Sequence, residues 1–377
     1  MLALWSIALR TLVAERGKFI TALVGVVFSV VLVNVQGGLF LGLLRKASLL
    51  VDCGGADIWV GHRGMFNVDL AADIPRRWVY RVRSVPGVAV AQPYLLGHST
   101  MTLPDGGFES VLVIGCERST LLGNAWMMRE GRAADVVRTD GIIVDAWEAV
   151  KLGDPQVGSL REIGRRRARV VGTSDGILGF LITPYVFTTL DRASEFLHKP
   201  SDVCSYVLVQ LEPGADAHQV CHEIRRRLPK ADAWPREVYS RMCVEYWIRR
   251  TGLGISFGCS TLLGLLVGMV IVAQTLYASV LDRIQEFGTL KAMGADHGQL
   301  YRMLLAQAVF MAALGSAGGV ILVALIVGAF STPVAPIVTP AWLVGASTVL
   351  VVVVCVLSSL LPFWRVRRVD PLLVLQS

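Results

Sequence analysis

The residue types that could bind a metal ion are concentrated near position 220. His218, Cys221 and His222 recur at near-helical spacing, with Cys204 as a candidate neighbour. A zinc site needs a further ligand at a defined spacing, and none is evident. His222 and Glu223 begin a zincin-like string, but no second histidine follows at the fifth position. We therefore expect the solvated face of a helix here and no metal site.

Other catalytic patterns are incomplete. Gly17-Lys18 is followed by Phe19, and no glycine stands five residues before Gly17, so the chain has no P-loop at this point. No G-x-S-x-G nucleophile elbow occurs. Four aspartates spread along one segment suggest no acid–base pair: Asp52, Asp57, Asp69 and Asp73. A membrane-anchored enzyme is therefore disfavoured, and any work that the protein performs must draw its energy from elsewhere.

A dense basic run occupies Arg165-Arg166-Arg167 with Arg169. An exposed hairpin is the favoured interpretation, and docking to an acidic partner or to lipid headgroups is the alternative.

Composition indicates a membrane protein that also contains one polar domain. The 377-residue chain is 54% hydrophobic and 17% charged, its mean hydropathy is +0.57, and soluble proteins carry about 25% charged residues. Disorder and a small disulfide scaffold are excluded. The net charge of +7 arises from 36 basic and 29 acidic residues. The basic residues are scattered without interleaved aromatics, which disfavours nucleic acid as a partner.

Four stretches reach the roughly 20 apolar residues that a membrane span requires. The first is longer than the hydrophobic region of a signal peptide, so we expect it to be retained. The predicted spans are residues 19–44, 251–281, 303–330 and 342–363.

The distribution of lysine and arginine predicts the orientation of these spans. Basic residues lie at the beginning of the chain, between the second and third spans, and in the tail, whereas residues 331–341 carry none. Both termini are therefore expected in the cytoplasm. The remaining predicted segments are a cytoplasmic amphipathic helix 1–18, a periplasmic domain 45–250, a cytoplasmic coupling loop or helix 282–302, a short periplasmic loop 331–341 and a cytoplasmic tail 364–377.

The large domain is expected to be α+β. A helix is predicted over Asp73–Ser84, with Asp73 as its N-cap and Pro75 in its first turn. Pro104-Asp105-Gly106-Gly107 predicts a hairpin turn. Further strands are predicted at residues 88–96, 99–103, 108–115, 141–144, 169–172 and 203–211, and a second helix at 217–228.

Seven cysteines are an odd number. Cys259 and Cys355 fall in apolar runs and are interpreted as packing residues. The other five are assigned to the outer domain, where disulfides are possible but the spacing identifies no pairs: Cys53, Cys116, Cys204, Cys221 and Cys243.

The most informative segment is Asp282–Ala295, in the predicted cytoplasmic loop. A stripe of apolar residues at near-helical spacing (Ile284, Phe287, Leu290 and Met293) alternates with Arg283, Glu286 and Lys291. This pattern fits a short amphipathic helix at the membrane edge. Gly288 would permit close approach of another surface, and Gly294 would end the helix. A simple connecting loop is the alternative.

This segment closely resembles the R-x-x-E-[IF]-G signature, continuing to A-[LMI]-G-A, of FtsX-like ABC transporter permeases, the MacB-type family. The start Leu4–Arg10 and the tail Arg365–Leu372, with Arg368, Asp370 and Pro371, resemble that family's ends. The order of one span, a large domain and three spans also matches. The resemblance implies a type VII ABC (MacB-like) architecture: an α-helical membrane protein with four transmembrane helices (1+3) and a large extracytoplasmic α+β domain. Residues 55–60, together with the predicted helix and strand after Asp73, look most like the DevC branch.

The resemblance implies partners and a division of labour. A cytosolic ABC ATPase dimer would bind ATP and magnesium, so the permease itself would hold no cofactor. A second permease copy would complete a homodimer, and a membrane-fusion adaptor and an outer-membrane channel would extend it among the membrane lipids. Six loop residues are then the candidates for ATPase coupling: Arg283, Glu286, Phe287, Gly288, Lys291 and Gly294.

Small residues spaced four apart permit close contact of membrane helices. Candidate positions for packing or dimerisation are Gly254, Gly258, Gly264 and Gly268, and similar pairs are Gly38/Gly42 and Gly315/Gly319. The ordinary glycine content of membrane helices is the alternative explanation. Polar residues within the spans, namely Asn34, Gln36 and Gln274, are expected to form interhelical hydrogen bonds, with contact to a substrate as the alternative.

The leading functional hypothesis is the permease of an ABC-type exporter that drives an envelope or amphiphilic substrate. The alternative is an FtsX-like mechanotransmitter that regulates a periplasmic cell-wall hydrolase.

Overall fold

The computed structural model describes residues 16–138, 140–180, 183–282 and 296–360. Contacts divide the chain into two compact units. The membrane unit contains the described residues of Met1–Gly42, Gly254–Thr332 and Pro336–Ser377. The α+β unit contains Leu43–Leu253 together with Pro333–Ala335.

Four helices within the described ranges are long and apolar enough to cross a membrane, which confirms the predicted four-span architecture. They are TM1 (Arg16–Lys46), TM2 (Leu253–Asp282), TM3 (His297–Phe330) and TM4 (Ala341–Ser358). TM3 begins six residues before the apolar run that predicted it, because its first turn is polar.

TM1 is the most buried of these helices. Ala22, Val26 and Val30 are almost fully buried in the core of the membrane unit. Side chains from the other three helices complete this cluster: Val272, Ala308, Met311, Ala312, Val351 and Cys355. Hydroxyl groups inside the helices donate to carbonyls one turn earlier, as Thr275 does to Ile271 at 2.8 Å. These hydroxyl groups are thereby satisfied within the helix, as an apolar bilayer favours.

The α+β unit is built on a ten-stranded sheet in the order β12-β1-β11-β3-β4-β9-β6-β8-β5, with β7 paired to β3 and β8. The pairs β4/β9 and β6/β8 are parallel, and the other pairs are antiparallel. β2 and β10 form a separate small sheet. The strands are β1 (Ile58–His62), β2 (Ile74–Pro75), β3 (Val88–Thr102), β4 (Phe108–Cys116), β5 (Met128–Glu130), β6 (Gly141–Asp145), β7 (Leu160–Ile163), β8 (Arg166–Ser174), β9 (Tyr185–Thr189), β10 (Val203–Cys204), β11 (Tyr206–Leu211) and β12 (Ala231–Pro235).

The described residues of this unit also form five α-helices. They are α1 (Leu49–Cys53), α2 (Trp78–Arg83), α3 (Leu190–Phe196), α4 (Ala217–Arg227) and α5 (Arg236–Arg250). Two short 3₁₀ helices cover Ala133–Val137 and Ala146–Glu148. The core is rich in aromatic residues, and its largest fully buried side chains include Trp59, Tyr94, Tyr206 and Tyr239.

Several predicted elements occur with adjusted ends. The hairpin turn at Pro104–Gly107 is confirmed, because Leu103 N–H donates to Gly107 O at 2.8 Å and Gly106 has a φ of +85°. The second predicted helix is α4, and Asp216 caps it by accepting from His218 N–H at 2.8 Å. The two strands predicted around Gly97 are the single fifteen-residue strand β3.

The prediction that a helix starts at Asp73 is wrong for the first residues of that helix. Ile74–Pro75 forms β2 instead, and α2 begins at Trp78. Ile74 is 1% exposed, and Arg76 N–H donates to Asp202 O at 2.7 Å. Burial of Ile74 against β10 outweighs the local capping signal.

All seven cysteines are free. Cys116, Cys204, Cys221 and Cys243 are buried, and burial raises the pKa of each thiol to about 12. Cys355 packs in the membrane core as predicted. Cys259 is exposed on TM2, so its interpretation as a packing residue is wrong within this chain.

Candidate functional site

The six candidate coupling residues, Arg283, Glu286, Phe287, Gly288, Lys291 and Gly294, lie outside the described residues, as do Arg368, Asp370 and Pro371 of the tail. TM2 continues to Asp282, directly before the coupling segment. TM2 is therefore a continuous helix from Leu253 to the edge of that segment.

Two of the predicted packing glycines hold TM2 against TM1. Gly264 and Gly268 are buried, and a side chain at either position would collide with Leu32 or Ser29 of TM1. Ser29 Oγ donates to Gly25 O at 3.0 Å and lies 3.5 Å from Gly264 O. The contact between these helices therefore depends on the absence of side chains at both glycines.

The other two predicted positions on TM2 differ from this pair. Gly258 is exposed, with nothing within 4 Å of an added Cβ, and Gly254 is half-buried. Gly315 and Gly319 of TM3 behave like Gly264 and Gly268, because a Cβ there would collide with Val26 and Val30 of TM1. Dimerisation through any of these glycines stays a prediction.

Polar contacts join the membrane helices. Asn34 Nδ2 donates to Ser347 Oγ of TM4 at 2.8 Å and to Val30 O at 2.8 Å. Ser358 Oγ donates to Met269 O at 3.2 Å. The interhelical role predicted for Asn34 is thus confirmed. Gln274 is instead exposed and lines a groove of about 580 Å³ between TM1 and TM2.

The last residues of TM1 belong to the α+β unit, and we call this connection the TM1 junction (Leu43–Lys46 with Pro333–Ala335). Lys46 Nζ donates to Val334 O at 2.7 Å. Pro333 also lies in van der Waals range of a Cβ built at Gly176. The segment between TM3 and TM4 is therefore bonded to the end of TM1, and its residues Pro333–Ala335 group with the α+β unit.

A buried carboxyl group lies beside this junction. Glu148 is 3% exposed, and its Oε1 accepts from Lys151 Nζ at 2.9 Å. Burial raises the pKa of Glu148, although the hydrogen bond from Lys151 and the charge of Lys46 oppose that rise. Lys46 therefore contributes both a direct hydrogen bond to Val334 and favourable electrostatics at Glu148.

The connection to TM2 is built differently, and we call it the TM2 junction (Arg250–Leu253). Helix α5 ends at Arg250, and TM2 begins at Leu253. Between them, Gly252 has a φ of +69°, a conformation that favours glycine. Thr251 Oγ1 donates to Trp247 O and closes the last turn of α5. The two helices are thus separate elements joined by a glycine.

Helix α5 is fixed to the core by an aromatic cluster. Tyr239 stacks on Trp234 with ring centroids 4.8 Å apart, and its hydroxyl lies 3.0 Å from that of Tyr206. Tyr206 in turn donates to Val68 O at 2.9 Å. Helix α5, which leads into the TM2 junction, is therefore packed against β11, β12 and the segment around Val68.

Asp69 is buried beside this cluster. It is 5% exposed, and its Oδ1 accepts from Tyr185 Oη at 2.8 Å. Burial raises the pKa of Asp69 to about 6, although the hydrogen bond from Tyr185 opposes the rise. A carboxyl group with this pKa changes charge between pH 5 and 7.

Comparison with protein families identifies the chain. The family described as "MacB-like periplasmic core domain" matches residues 19–227, and "FtsX-like permease C-terminal" matches residues 258–371. The chain belongs to the MacB-like, FtsX-like family of ABC transporter permeases. Assignment to the DevC branch stays a prediction.

Relatives of this permease are known by sequence. An uncharacterized ABC transporter permease of Mycobacterium tuberculosis is 25% identical over 370 residues, covering 97% of both chains. A second one from the same organism is 25% identical over 379 residues, again covering 97% of both. An uncharacterized ABC transporter permease of Methanocaldococcus jannaschii is 25% identical over 172 residues, covering 44% of this chain and 42% of its own.

Two solved structures resemble part of the permease. The periplasmic region of MacB from Actinobacillus actinomycetemcomitans aligns with a TM-score of 0.38 at 11% identity, covering 50% of this chain and 92% of its own. The extracellular domain of the noncanonic ABC-type transporter YknZ from Gram-positive bacteria aligns with a TM-score of 0.37 at 13% identity, covering 47% and 98%.

The permease brings no metal ligands together near position 220. His218 and His222 are exposed, whereas Cys221 is buried with Val220 and Ile224. Glu223 pairs with Arg226 and Arg227 at 2.8 and 2.7 Å. Within residues 16–138, 140–180, 183–282 and 296–360, no group of three His, Cys, Asp or Glu residues is placed to hold a metal ion.

The basic run forms the predicted exposed hairpin of the permease. β7 and β8 pair on either side of Gly164 and Arg165, whose φ angles are +55° and +61°. Arg167 and Arg169 lie 3.1 and 3.7 Å from the carboxylate of Asp140.

The four aspartates have separate partners. Asp52 accepts from Ser48, Asp57 from Leu211 N–H, Asp69 from Tyr185 and Asp73 from Lys199. Of these, sequence reasoning missed the buried position of Asp69. Its neighbours in sequence, Asn67 and Val68, give no periodic signal of burial, and Tyr185 is distant in sequence.

Proposed function

We propose that this permease is the membrane subunit of an ABC-type exporter in a bacterial inner membrane, with both termini in the cytoplasm. ATP and magnesium bind to a separate cytosolic ATPase dimer, and the permease itself needs no cofactor. Membership of the MacB-like, FtsX-like family and the absence of a P-loop at Gly17-Lys18 support this division.

The observation that carries the proposal is the continuity of TM1. A single helix runs from Arg16 to Lys46, and its last residues belong to the α+β unit. There, Lys46 binds Val334 between TM3 and TM4 at 2.7 Å. This continuity supports the proposal that a displacement of TM1 reaches the α+β unit.

The remaining components follow from the family relationship. Two permease copies form a homodimer, and the movement of the α+β units drives an envelope or amphiphilic substrate, together with a membrane-fusion adaptor and an outer-membrane channel. Exposed apolar side chains on TM1 and TM2 support contact with lipid or with a second copy: Ile20, Val24, Phe28, Val267 and Val270.

The coupling segment provides the direct test. Glu286→Lys should lower co-purification of the cognate ATPase about tenfold while the protein still inserts into the membrane, since charge-assisted contacts contribute roughly 1.5–3 kcal/mol. Glu130→Lys is the matched control, because Glu130 is exposed on β5 of the α+β unit. Undiminished yield of the ATPase with Glu286→Lys would contradict the coupling role. Stimulation of a cell-wall hydrolase without export would support the mechanotransmitter instead.

A further inference from the structure

A pocket lies beside the TM2 junction, entirely within the α+β unit. Its volume is about 310 Å³, and its lining residues are Phe66, Met242, Glu245, Tyr246, Arg249 and Arg250. Aromatic rings and guanidinium groups dominate this lining, a combination that suits an anionic group attached to an apolar body.

Arg250 is the free cation of the pocket. Its guanidinium lies 4.8 Å from the ring centroid of Phe66 and 5.9 Å from that of Tyr246. Among the described residues, no carboxylate forms an ion pair with it. Stacking orients a guanidinium while its N–H groups stay available, so Arg250 is held ready to bind an oxyanion.

Arg249 is partly neutralised. Its Nη2 lies 2.8 Å from Glu245 Oε1, and both side chains are more than half exposed. The pocket therefore carries one net positive charge, which matches a single phosphodiester.

The aromatic wall of the pocket is presented by a fixed segment. Phe66 is 46% exposed, whereas its neighbours Met65 and Asn67 are 6% and 2% exposed. Val68, two residues after Phe66, is held in place because Tyr206 Oη donates to its carbonyl oxygen at 2.9 Å. Phe66 therefore presents its apolar ring to the pocket from a segment whose neighbouring residues are fixed in the core.

Chain connectivity places this pocket at the membrane surface. Leu253 begins a membrane-spanning helix three residues after Arg250. Three extended residues span at most about 11 Å, so Arg250 lies within that distance of the span's first residue. Tyrosine, tryptophan and arginine at such a boundary contact lipid headgroups.

We propose that this pocket binds the phosphodiester headgroup of a phospholipid in the surrounding leaflet, with Arg250 as the principal phosphate ligand. Arg249 supplies a second contact when it exchanges Glu245 for the phosphate. Phe66 and Tyr246 cover the apolar part of the headgroup region. The inference does not require the exporter function, because it rests on the pocket and its position alone.

The test uses the full chain, freed of lipid in detergent and titrated with phosphatidylglycerol under native mass spectrometry. Arg250→Gln should weaken phosphatidylglycerol binding about tenfold, the effect of losing one charge-assisted hydrogen bond. Arg241→Gln is the matched control, because Arg241 is exposed on the same helix but lies outside the pocket. Its affinity should equal that of the unaltered chain.

Two further variants separate geometry from charge. Arg250→Lys keeps the charge but loses the planar stacking, so it should bind phosphatidylglycerol more weakly than the unaltered chain and more tightly than Arg250→Gln. Glu245→Gln releases Arg249 and should strengthen binding. Both positions are exposed, so neither change removes a core contact.

Three results would overturn the proposal. Equal weakening by Arg250→Gln and Arg241→Gln would indicate general charge attraction. Diacylglycerol, which lacks phosphate, binding as tightly as phosphatidylglycerol would remove the role of Arg250. Inorganic phosphate that displaces phosphatidylglycerol at equal concentration would identify a soluble phosphate as the ligand instead of a lipid.

Discussion

The TM1 junction and the TM2 junction connect the same α+β unit to membrane helices in opposite ways. At the TM1 junction, the helix continues unbroken to Lys46, which is bonded to Val334. At the TM2 junction, α5 and TM2 are interrupted at Gly252, whose φ is +69°. In the proposed function, the first connection would transmit displacement and the second would permit a change of angle. The proposal needs both, because a domain held rigidly at two points would have to deform when one helix moved.

The largest expected effect comes from separating TM1 and TM2, the two membrane helices that the junctions connect to the α+β unit. Gly268→Leu places a side chain against Ser29 and Gly25 of TM1, and overpacking of this kind costs about 3 kcal/mol or more. We expect little folded, monodisperse protein in fluorescence size-exclusion chromatography. Gly258→Leu is the control, because nothing lies within 4 Å of a Cβ there. Similar behaviour of both variants would mean that TM1–TM2 packing does not hold the membrane unit together.

The second effect is a pH dependence of stability that arises near the TM2 junction. Asp69 lies beside the aromatic cluster that fixes α5, and its pKa rises from 3.8 to about 6 on folding. The folded state therefore binds the proton more tightly, so this group favours folding below about pH 4 and loses that contribution as pH rises through 6. Its contribution should increase by about 2 kcal/mol between pH 7.5 and pH 4.5.

Asp69→Asn should remove this part of the pH dependence, as measured by thermal unfolding of the full chain followed by near-UV circular dichroism. The comparison is made between the pH slopes of the two proteins, because other groups titrate in both. Asp52→Asn is the control, since no more than a partly buried contact with Ser48 is altered. Identical slopes for the unaltered chain and Asp69→Asn would show that Asp69 is not buried as described.

How far the sequence predicts this fold depends on whether the signal is local. Apolar runs define the four spans, and the Pro104–Gly107 turn and the Asp216 cap are set by adjacent residues. The start of α2 could not be predicted from local sequence. Ile74 pairs instead with the strand Val203–Cys204, which is far along the chain. The same holds for the parallel pairing of β4 with β9.

The same distinction between local and distant signals applies to the candidate site. Gly264 and Gly268 were identifiable because small residues four apart lie on one face of a helix. Lys46 was not, because its partner Val334 is 288 residues away and contributes only a backbone carbonyl. A carbonyl oxygen belongs to every residue, so no side-chain pattern marks it. Phe66 was missed because its exposure between buried neighbours is visible only in the folded unit.

The third effect tests the fixed junction. Lys46→Met keeps an unbranched side chain but removes the hydrogen bond to Val334, at a cost of about 1.5 kcal/mol. With this bond at the end of TM1 removed, while the bond from Val338 N–H to Gly38 O at 3.0 Å remains, ATP hydrolysis by the assembled complex should continue while export falls. The ratio of substrate exported to ATP hydrolysed measures this loss. Arg45→Met is the neighbouring control, because Arg45 is exposed. An unchanged ratio for Lys46→Met would remove this residue from force transmission.

The smallest effect tests the flexible junction. Gly252→Ala places a Cβ on a residue with a φ of +69°, which costs about 1 kcal/mol and favours a different angle between α5 and TM2. Gly214→Ala is a matched control, because Gly214 has a φ of +85° with nothing within 4 Å of a Cβ and lies away from either junction. Both variants should lose similar stability in thermal unfolding, since both carry the same backbone strain. Gly252→Ala alone should also slow export by the assembled complex, because the backbone relaxes there by changing the angle between α5 and TM2. If the two variants export at the same rate, the glycine at 252 ends a helix without serving as a joint, and the contrast between the junctions reduces to the hydrogen bond at Lys46.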